Sequence, residues 1–500
     1  MRNTQFTSLK TCLKSFTATL FYLLVAALLI SPDPALASRY TPEGLYDPII
    51  YRLDNGMRVI LKERHGARNV AIRLDIGIGN HDFECYHQET AHFLEHLLFT
   101  GTSQHSESEL DEIIIDHGGS WNAYTYNEMT VFEIDIFSEF SDVGISVLHE
   151  IITDSQLSKH DFELSRGIIY REVGGVPTRI SQFLHEHEII SNARSKVIKE
   201  MLKGSHAYCS NLTTLDSISH QDILDAYRKF YVPNNMTLVV TGDFQLDKTR
   251  DQVQQLFGKM PSRALQRDVP VADKFDRGPL HLSSSLSPVF GIEGTAELVF
   301  RTNGYGSPDY YPFQVINHYL NKRLYEVIRV QEGLSYSPDV EMVGGFKDGL
   351  FVINADADIK DLDKVTRLMH EEIIQLRDGK VSDEEINQTI KSLLLSWAQG
   401  LESNSDIADY YIDNLDEVER LGHYVDQESL LETITPADIR DVAQRYFMPS
   451  NMAFLKSVPT LTTNQFYLLA GITFLLLLFF SWRLAKRIGL HIRVQRDAKK

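Results

Sequence analysis

Thr90-Ala91-His92-Phe93-Leu94-Glu95-His96-Leu97-Leu98-Phe99 sets an H-x-x-E-H pattern among apolar residues at helical spacing. That spacing predicts a helix over 89–99. Positions i and i+4 share a helix face, so the imidazoles of His92 and His96 can converge on one metal ion. Glu95 lies beside them, and a carboxylate there can take a proton from a water activated at the metal. Two histidines leave a tetrahedral site one protein ligand short of the usual catalytic three. Alone, the pattern is equally compatible with two hydrogen-bonded histidines.

Downstream, Ser158-Lys159-His160-Asp161 has the look of a capping box opening a helix over 158–173, with Phe162, Ile169 and Val173 as its apolar stripe and Glu172 near its end. Arg166-Gly167-Ile168-Ile169-Tyr170-Arg171-Glu172-Val173 then places Glu172 76 residues after His96. With Phe99-Thr100-Gly101-Thr102 and Gly118-Gly119-Ser120-Trp121-Asn122-Ala123-Tyr124-Thr125, these stretches resemble the inverted-zincin zinc metallopeptidases of pitrilysin, insulysin and the mitochondrial processing peptidase, in their short two-domain bacterial form. The resemblance implies one Zn²⁺ per chain held by His92, His96 and Glu172, with Glu95 as the catalytic base. It also implies a strand through Asn122, Ala123 and Tyr124 that binds an extended substrate.

Far along the chain, Arg329-Val330-Gln331-Glu332-Gly333-Leu334-Ser335-Tyr336 has Arg and Tyr seven apart. In the family such a pair comes from the other half of the enzyme and stabilises the tetrahedral intermediate, which implies catalytic roles for Arg329 and Tyr336. One position departs from the family pattern: the second acid usual seven residues before the ligand glutamate is Ser165 here. Asp161 lies a turn further back, where capping explains it equally well.

The formal net charge is −19, unevenly spread. Residues 483–500 sum to +6 and residues 1–37 to +2, and removing both from −19 leaves −27 for the part between. That balance excludes a nucleic-acid partner, which needs a basic face. It fits either a solvated acidic surface or an acidic cleft that steers basic peptides. Of the three cysteines, Cys85 and Cys209 are expected in the mature chain and can pair in an oxidising compartment. His185-Glu186-His187-Glu188 is expected to be a solvated polar helix face.

Arg2, Lys10 and Lys14 precede an apolar core from Leu20 to Ile30, then Pro32, Pro34 and an Ala35-Leu36-Ala37 cleavage site, so residues 1–37 are expected to be a signal peptide. A retained signal anchor is the alternative. Phe466 to Trp482 carries no charge and reaches about 26 Å as a helix. With Arg483, Lys486 and Arg487 following, 466–482 reads as a transmembrane helix and 483–500 as a basic cytoplasmic tail. The expected location is the bacterial inner membrane, single-pass, with the catalytic body in the periplasm.

Ile218-Ser219-His220-Gln221-Asp222-Ile223-Leu224-Asp225 pairs with Ile434-Thr435-Pro436-Ala437-Asp438-Ile439-Arg440-Asp441. At the same offset, Phe230-Tyr231-Val232-Pro233-Asn234-Asn235-Met236 pairs with Tyr446-Phe447-Met448-Pro449-Ser450-Asn451-Met452. Such self-similarity indicates duplication. The expected organisation is a zinc-binding domain over 38–262, a Pro- and Ser-bearing linker over 263–287 and a homologous domain over 288–457. The fold class is α+β: two homologous α/β-layer domains, each an antiparallel-rich sheet backed by helices, forming half of a clam-shell. The function expected is that of a membrane-anchored zinc metalloendopeptidase hydrolysing unfolded peptides. The alternative is a weak or inactive assembly subunit of the same family. A homodimer is expected to complete each site with the partner's Arg–Tyr pair, and a heterodimer with a related chain is the alternative.

Overall fold

The protein was analysed as a computed structural model describing residues 40–173, 175–176, 178–180, 183, 193–206, 215–267 and 269–497. The expected signal peptide, Cys209 and the His185–Glu188 segment lie outside the described residues.

The first sheet contains β1 (Ile49–Arg52), β2 (Arg58–Glu63), β3 (Asn69–Ile76), β4 (Ser120–Thr125), β5 (Thr130–Phe137) and β6 (Met236–Gly242) in the order β1-β2-β6-β3-β5-β4. Its helices are α1 (Thr90–Phe99), α2 (Glu107–Asp116), α3 (Ser141–Asp154), α4 (Lys159–Glu172), α5 (Ala193–Met201), α6 (His220–Phe230) and α7 (Leu246–Phe257). The second sheet contains β7 (Leu280–Gly291), β8 (Glu293–Asn303), β9 (Asp339–Gly344), β10 (Asp348–Asp358) and β11 (Met452–Thr462) in the order β7-β11-β8-β10-β9. Its helices are α8 (Tyr310–Leu324), α9 (Leu362–Arg377), α10 (Asp383–Gln399), α11 (Asn404–Asp413), α12 (Leu415–Leu421), α13 (Gln427–Thr433) and α14 (Pro436–Tyr446). A last helix, α15, runs from Thr463 to Asp497.

The duplication is visible strand by strand. β2-β6-β3-β5-β4 matches β7-β11-β8-β10-β9 in order and direction, with β2–β6 and β7–β11 the parallel pairs. The repeated sequence block forms α6 and α14. Each helix is opened by a capping box, at Ser219 and Thr435, and followed by a short 3₁₀ turn at Pro233–Asn235 and Pro449–Asn451.

β3 and β6 are buried nearly end to end because both faces of the first sheet are covered. On one face, α1, α3 and α4 bury Phe93, Leu97, Leu148 and Phe162 against Ile72, Leu74 and Ile134. On the other face the cover comes from the second half: Ile407, Ala408 and Tyr411 of α11 lie on Ile60, Ala71, Val131 and Val239. The exchange is reciprocal. Ala193, Val197 and Met201 of α5 pack on Val299, Val352 and Ala453 of the second sheet.

Two boundaries differ from the sequence expectation. The stretch read as a linker to residue 287 already contains β7, because Leu280 and its successors find a parallel ladder on β11. The residues between the expected end of the second domain at 457 and the apolar run from 466 form no separate linker, since β11 reaches Thr462 and α15 starts at Thr463. Thr463–Lys486 is long and apolar enough to cross a membrane, and none of it is buried in the protein.

Candidate metal centre

α1 turns Ala91, Phe93, Leu94, Leu97 and Leu98 into the core, which leaves His92, Glu95 and His96 on the opposite stripe. Phe93 stacks on Phe162 at 5.0 Å, fixing α4 against α1 and bringing Glu172, the last residue of α4, over the histidines. His92 Nε2 and His96 Nε2 are 3.1 Å apart, and Glu172 Oε2 is 3.3 Å from the first and 3.4 Å from the second. Among the described residues these three form the one cluster of His, Cys, Asp and Glu able to hold a metal ion. A tetrahedral ion with ligands at about 2.0–2.1 Å separates its donors by roughly 3.3 Å, so the donor set and its spacing fit Zn²⁺. Two imidazole nitrogens at 3.1 Å also need a proton or a cation between them.

Sequence reasoning missed Glu89. Its Oε2 lies 2.9 Å from His92 Nδ1. A carboxylate there holds the ring in the tautomer whose Nε2 carries the lone pair. Glu89 stands at the N-cap of α1 but makes no side-chain cap bond, so its carboxylate serves the histidine rather than the helix. The i−3 spacing from His92 was the available signal. Burial works against a charge on His92, but Glu89, Glu95 and Glu172 outweigh it and raise its pKa. Burial, helped by His92, lowers that of His96. Ser165 is buried on α4, and Asp161 is taken up by the cap: Ser158 Oγ accepts from Asp161 N at 3.1 Å and donates to its Oδ2 at 2.5 Å.

Thr125 Oγ1 donates to Glu95 Oε2 at 2.7 Å and so aims one carboxylate oxygen. Strand alternation puts Trp121, Ala123 and Thr125 on the face toward α1. Asn122 and Tyr124 fall on the other face, Tyr124 packing with the α11 cluster. The side chains of these two expected substrate-binding residues therefore point away from the metal cluster. β4 is nevertheless the last strand of its sheet, so its outer backbone edge has no strand partner among the described residues. Beyond it, a cavity of about 920 Å³ opens between the halves, lined by Tyr126 and Glu128 with Asp413, Asp416, Glu417 and Asp441. Its two arginines, Arg420 and Arg445, are already paired with Asp416, Asp309 and Asp441.

Arg329 lies on a π-helical turn, Tyr325–Gln331, and stacks 4.1 Å over the ring of Tyr336, whose carbonyl accepts from its guanidinium. The hydrogen bond and ring contacts of this pair are with each other and with Tyr325, none with the metal cluster, and Tyr336 is 75% exposed. Within one chain the pair is assembled but does not reach the histidines. Cys85 is disulfide-bonded, which removes it as a metal ligand.

Comparison with known proteins agrees with this geometry. Residues 58–200 match the family model described as Insulinase (Peptidase family M16), and residues 217–393 match that of the Peptidase M16 inactive domain. Together the two spans cover well over half of the chain, and the protein belongs to peptidase family M16, the insulinase and pitrilysin family. Within it the chain is of the two-domain bacterial zinc protease type. An uncharacterized zinc protease of Rickettsia felis is 24% identical over 409 residues, covering 79% of this chain and 92% of its own. A protease from Helicobacter pylori shares the fold with a TM-score of 0.71 at 16% identity, covering 82% of this chain and 99% of that one. The periplasmic protease PqqL of Escherichia coli does so at 0.67 and 16%, covering 82% and 45%.

Proposed function

We propose that this protein is a zinc-dependent endopeptidase that cuts unfolded peptides or protein segments outside the cytoplasm. The observation that carries the reading is the three-donor triangle of His92, His96 and Glu172 with Glu95 on the same helix face. Zn²⁺ bound there supplies Lewis acidity to a water and to the scissile carbonyl. Glu95, one oxygen held by Thr125, takes the proton of the attacking water and returns it to the leaving amine. Glu89 orients His92. The free edge of β4 along Asn122, Ala123 and Tyr124 pairs with an extended substrate backbone, which selects unfolded chains. The acidic cavity at the end of β4 favours peptides with basic residues.

The Arg329–Tyr336 pair acts across a dimer: in the pairing we infer, Tyr336 and Arg329 of a second copy donate to the oxyanion formed on the first. The exposure of Tyr336, and the pair's lack of a hydrogen bond or ring contact with the histidines, support completion in trans. α15 crosses the membrane with Arg483, Lys486 and Arg487 on the cytoplasmic side, which puts the body in the periplasm. A disulfide at Cys85 suits that compartment, and so does the likeness to a protease described as periplasmic.

Metal analysis and digestion of an unstructured peptide, wild type against Glu95→Gln, test the reading. Zinc near one per chain in both, with cleavage lost in the variant, is the expected result. Zinc without cleavage by the wild type would favour the inactive-subunit reading, which Ser165 in place of the usual acid keeps in view.

A further inference from the structure

β11 runs into α15 with no linker. Thr462 Oγ1 accepts from Gln465 N at 3.3 Å, and Gln465 Oε1 accepts from Thr462 N at 2.9 Å. Reciprocal bonds of this kind form a capping box, which fixes the angle at which the chain enters the helix. α15 also packs against β7 and β11. The strand register sets the end of β7 beside this junction, Leu461 pairing with Phe290 and Thr462 with Gly291. The next residue, Ile292, makes the turn into β8, and its side chain is 59% exposed. Its carbonyl accepts from Ile359 N at 2.8 Å, tying the turn to the loop after β10 where Lys360 stands exposed.

The uncharged apolar run of α15 begins at Phe466, four residues after Thr462. Four helical residues rise about 6 Å. One headgroup layer is about 5–7 Å thick, half the difference between the whole bilayer and its hydrocarbon core. A helix entering hydrocarbon at Phe466 therefore carries Thr462, and the turn beside it, into the headgroup layer.

We propose that the β7–β8 turn, with Ile292 at its tip, and the adjoining 359–360 loop rest in the headgroup layer of the membrane that α15 crosses. The second half is thereby seated on lipid instead of swinging from a tether. This rests on the reading of α15 as a membrane span. The occupant is the lipid surface, and the contact is apolar. Lys360 is flanked by Asp358 at 3.4 Å and Asp361 at 3.8 Å, with Glu293 also exposed, so the patch offers no net positive charge to anionic lipid. An isoleucine moved from water into the interface is the main gain, and proximity enforced by the helix removes most of the cost of bringing it there. The zinc-bearing half meets the opposite end of the same sheet, where Tyr305 OH and Phe346 N donate to Glu128 of the β4–β5 turn. β8 separates the two ends by about 35 Å at roughly 3.3 Å per residue.

The full-length chain, reconstituted in phosphatidylethanolamine–phosphatidylglycerol vesicles, is labelled with one fluorophore at Ile292→Cys, Leu475→Cys or Ile115→Cys. The unsubstituted chain gives the background from native thiols. Lipids carrying nitroxide on the headgroup or deep in the acyl chain act as quenchers. Loss of fluorescence at 292 with the headgroup quencher, at 475 with the deep quencher and at 115 with neither is the expected result. If 475 is quenched while 292 behaves like 115, the seating is wrong and the span stands. If 475 is not quenched by lipid, the span itself fails and the seating with it.

Discussion

At the residue scale the proposed site depends on which nitrogen of each histidine would face a bound metal. Glu89 decides this for His92 by engaging Nδ1 at 2.9 Å. Removing such an outer partner typically weakens metal binding about 10–100-fold. Glu89→Ala is expected to lower zinc affinity by that factor in a chelator competition. The melting temperature of the metal-free protein should barely move, because Glu89 makes no cap bond. Equal affinities for variant and wild type would show that His92 needs no such support. The candidate metal ligands could be read in the sequence because H-x-x-E-H is local and the resemblance implies Glu172 at the family spacing. Glu89 and Thr125 were harder to see, since their roles depend on side-chain direction and on β4 lying beside α1.

At the level of single elements, two features of the first sheet can be tested. α3 approaches the sheet at Gly144, where a Cβ would meet Ile72 Cδ1 at 2.8 Å. Gly144→Val is expected to destabilise the protein by about 1–3 kcal/mol through overpacking, measured by denaturant titration. Asp75 on β3 is buried, and its Oδ1 has no partner among the described residues. Burial pushes its carboxyl up to about 7, only partly countered by Arg267 and Arg58, while Glu419 adds to the rise. The folded state thus holds this proton more tightly than the unfolded state, so stability falls as pH rises from about 4 to about 7 and is level beyond. Asp75→Asn should match wild type near pH 4 and become the more stable protein as pH approaches 7, by on the order of a few kcal/mol. A melting-temperature difference independent of pH would contradict this.

For the whole molecule, the reciprocal cover of the sheets predicts that the halves stabilise each other. Tyr411 of α11 is fully buried on the first sheet and donates to Leu45 O at 2.6 Å. Tyr411→Ala should cost about 3–5 kcal/mol, as large-to-small changes of buried aromatics do, and should lower the unfolding midpoint of both halves together. Assembly has its own test. Mixing Glu95→Gln chains with Tyr336→Phe chains is expected to restore part of the activity, through dimers that contain one intact site. No gain on mixing would rule out completion in trans.

The sequence by itself determined the histidine pair, the duplication and the apolar helix, because each rests on short-range periodicity or on a repeat with constant offset, while Glu172 came from the family resemblance. The Pro-Asn turn and capped helix recur at 219–236 and 435–452, since the same local chemistry builds the same unit twice. Only the tertiary structure decided where long-range pairing wins. The serine run after Leu280 becomes a strand because β11 offers it a ladder, which local composition does not reveal. α5 and α11 each cover the other half's sheet, because a sheet apolar on both faces needs helices on both. The same pairing sets Gly291 beside Thr462, so the strand runs into α15 without a break.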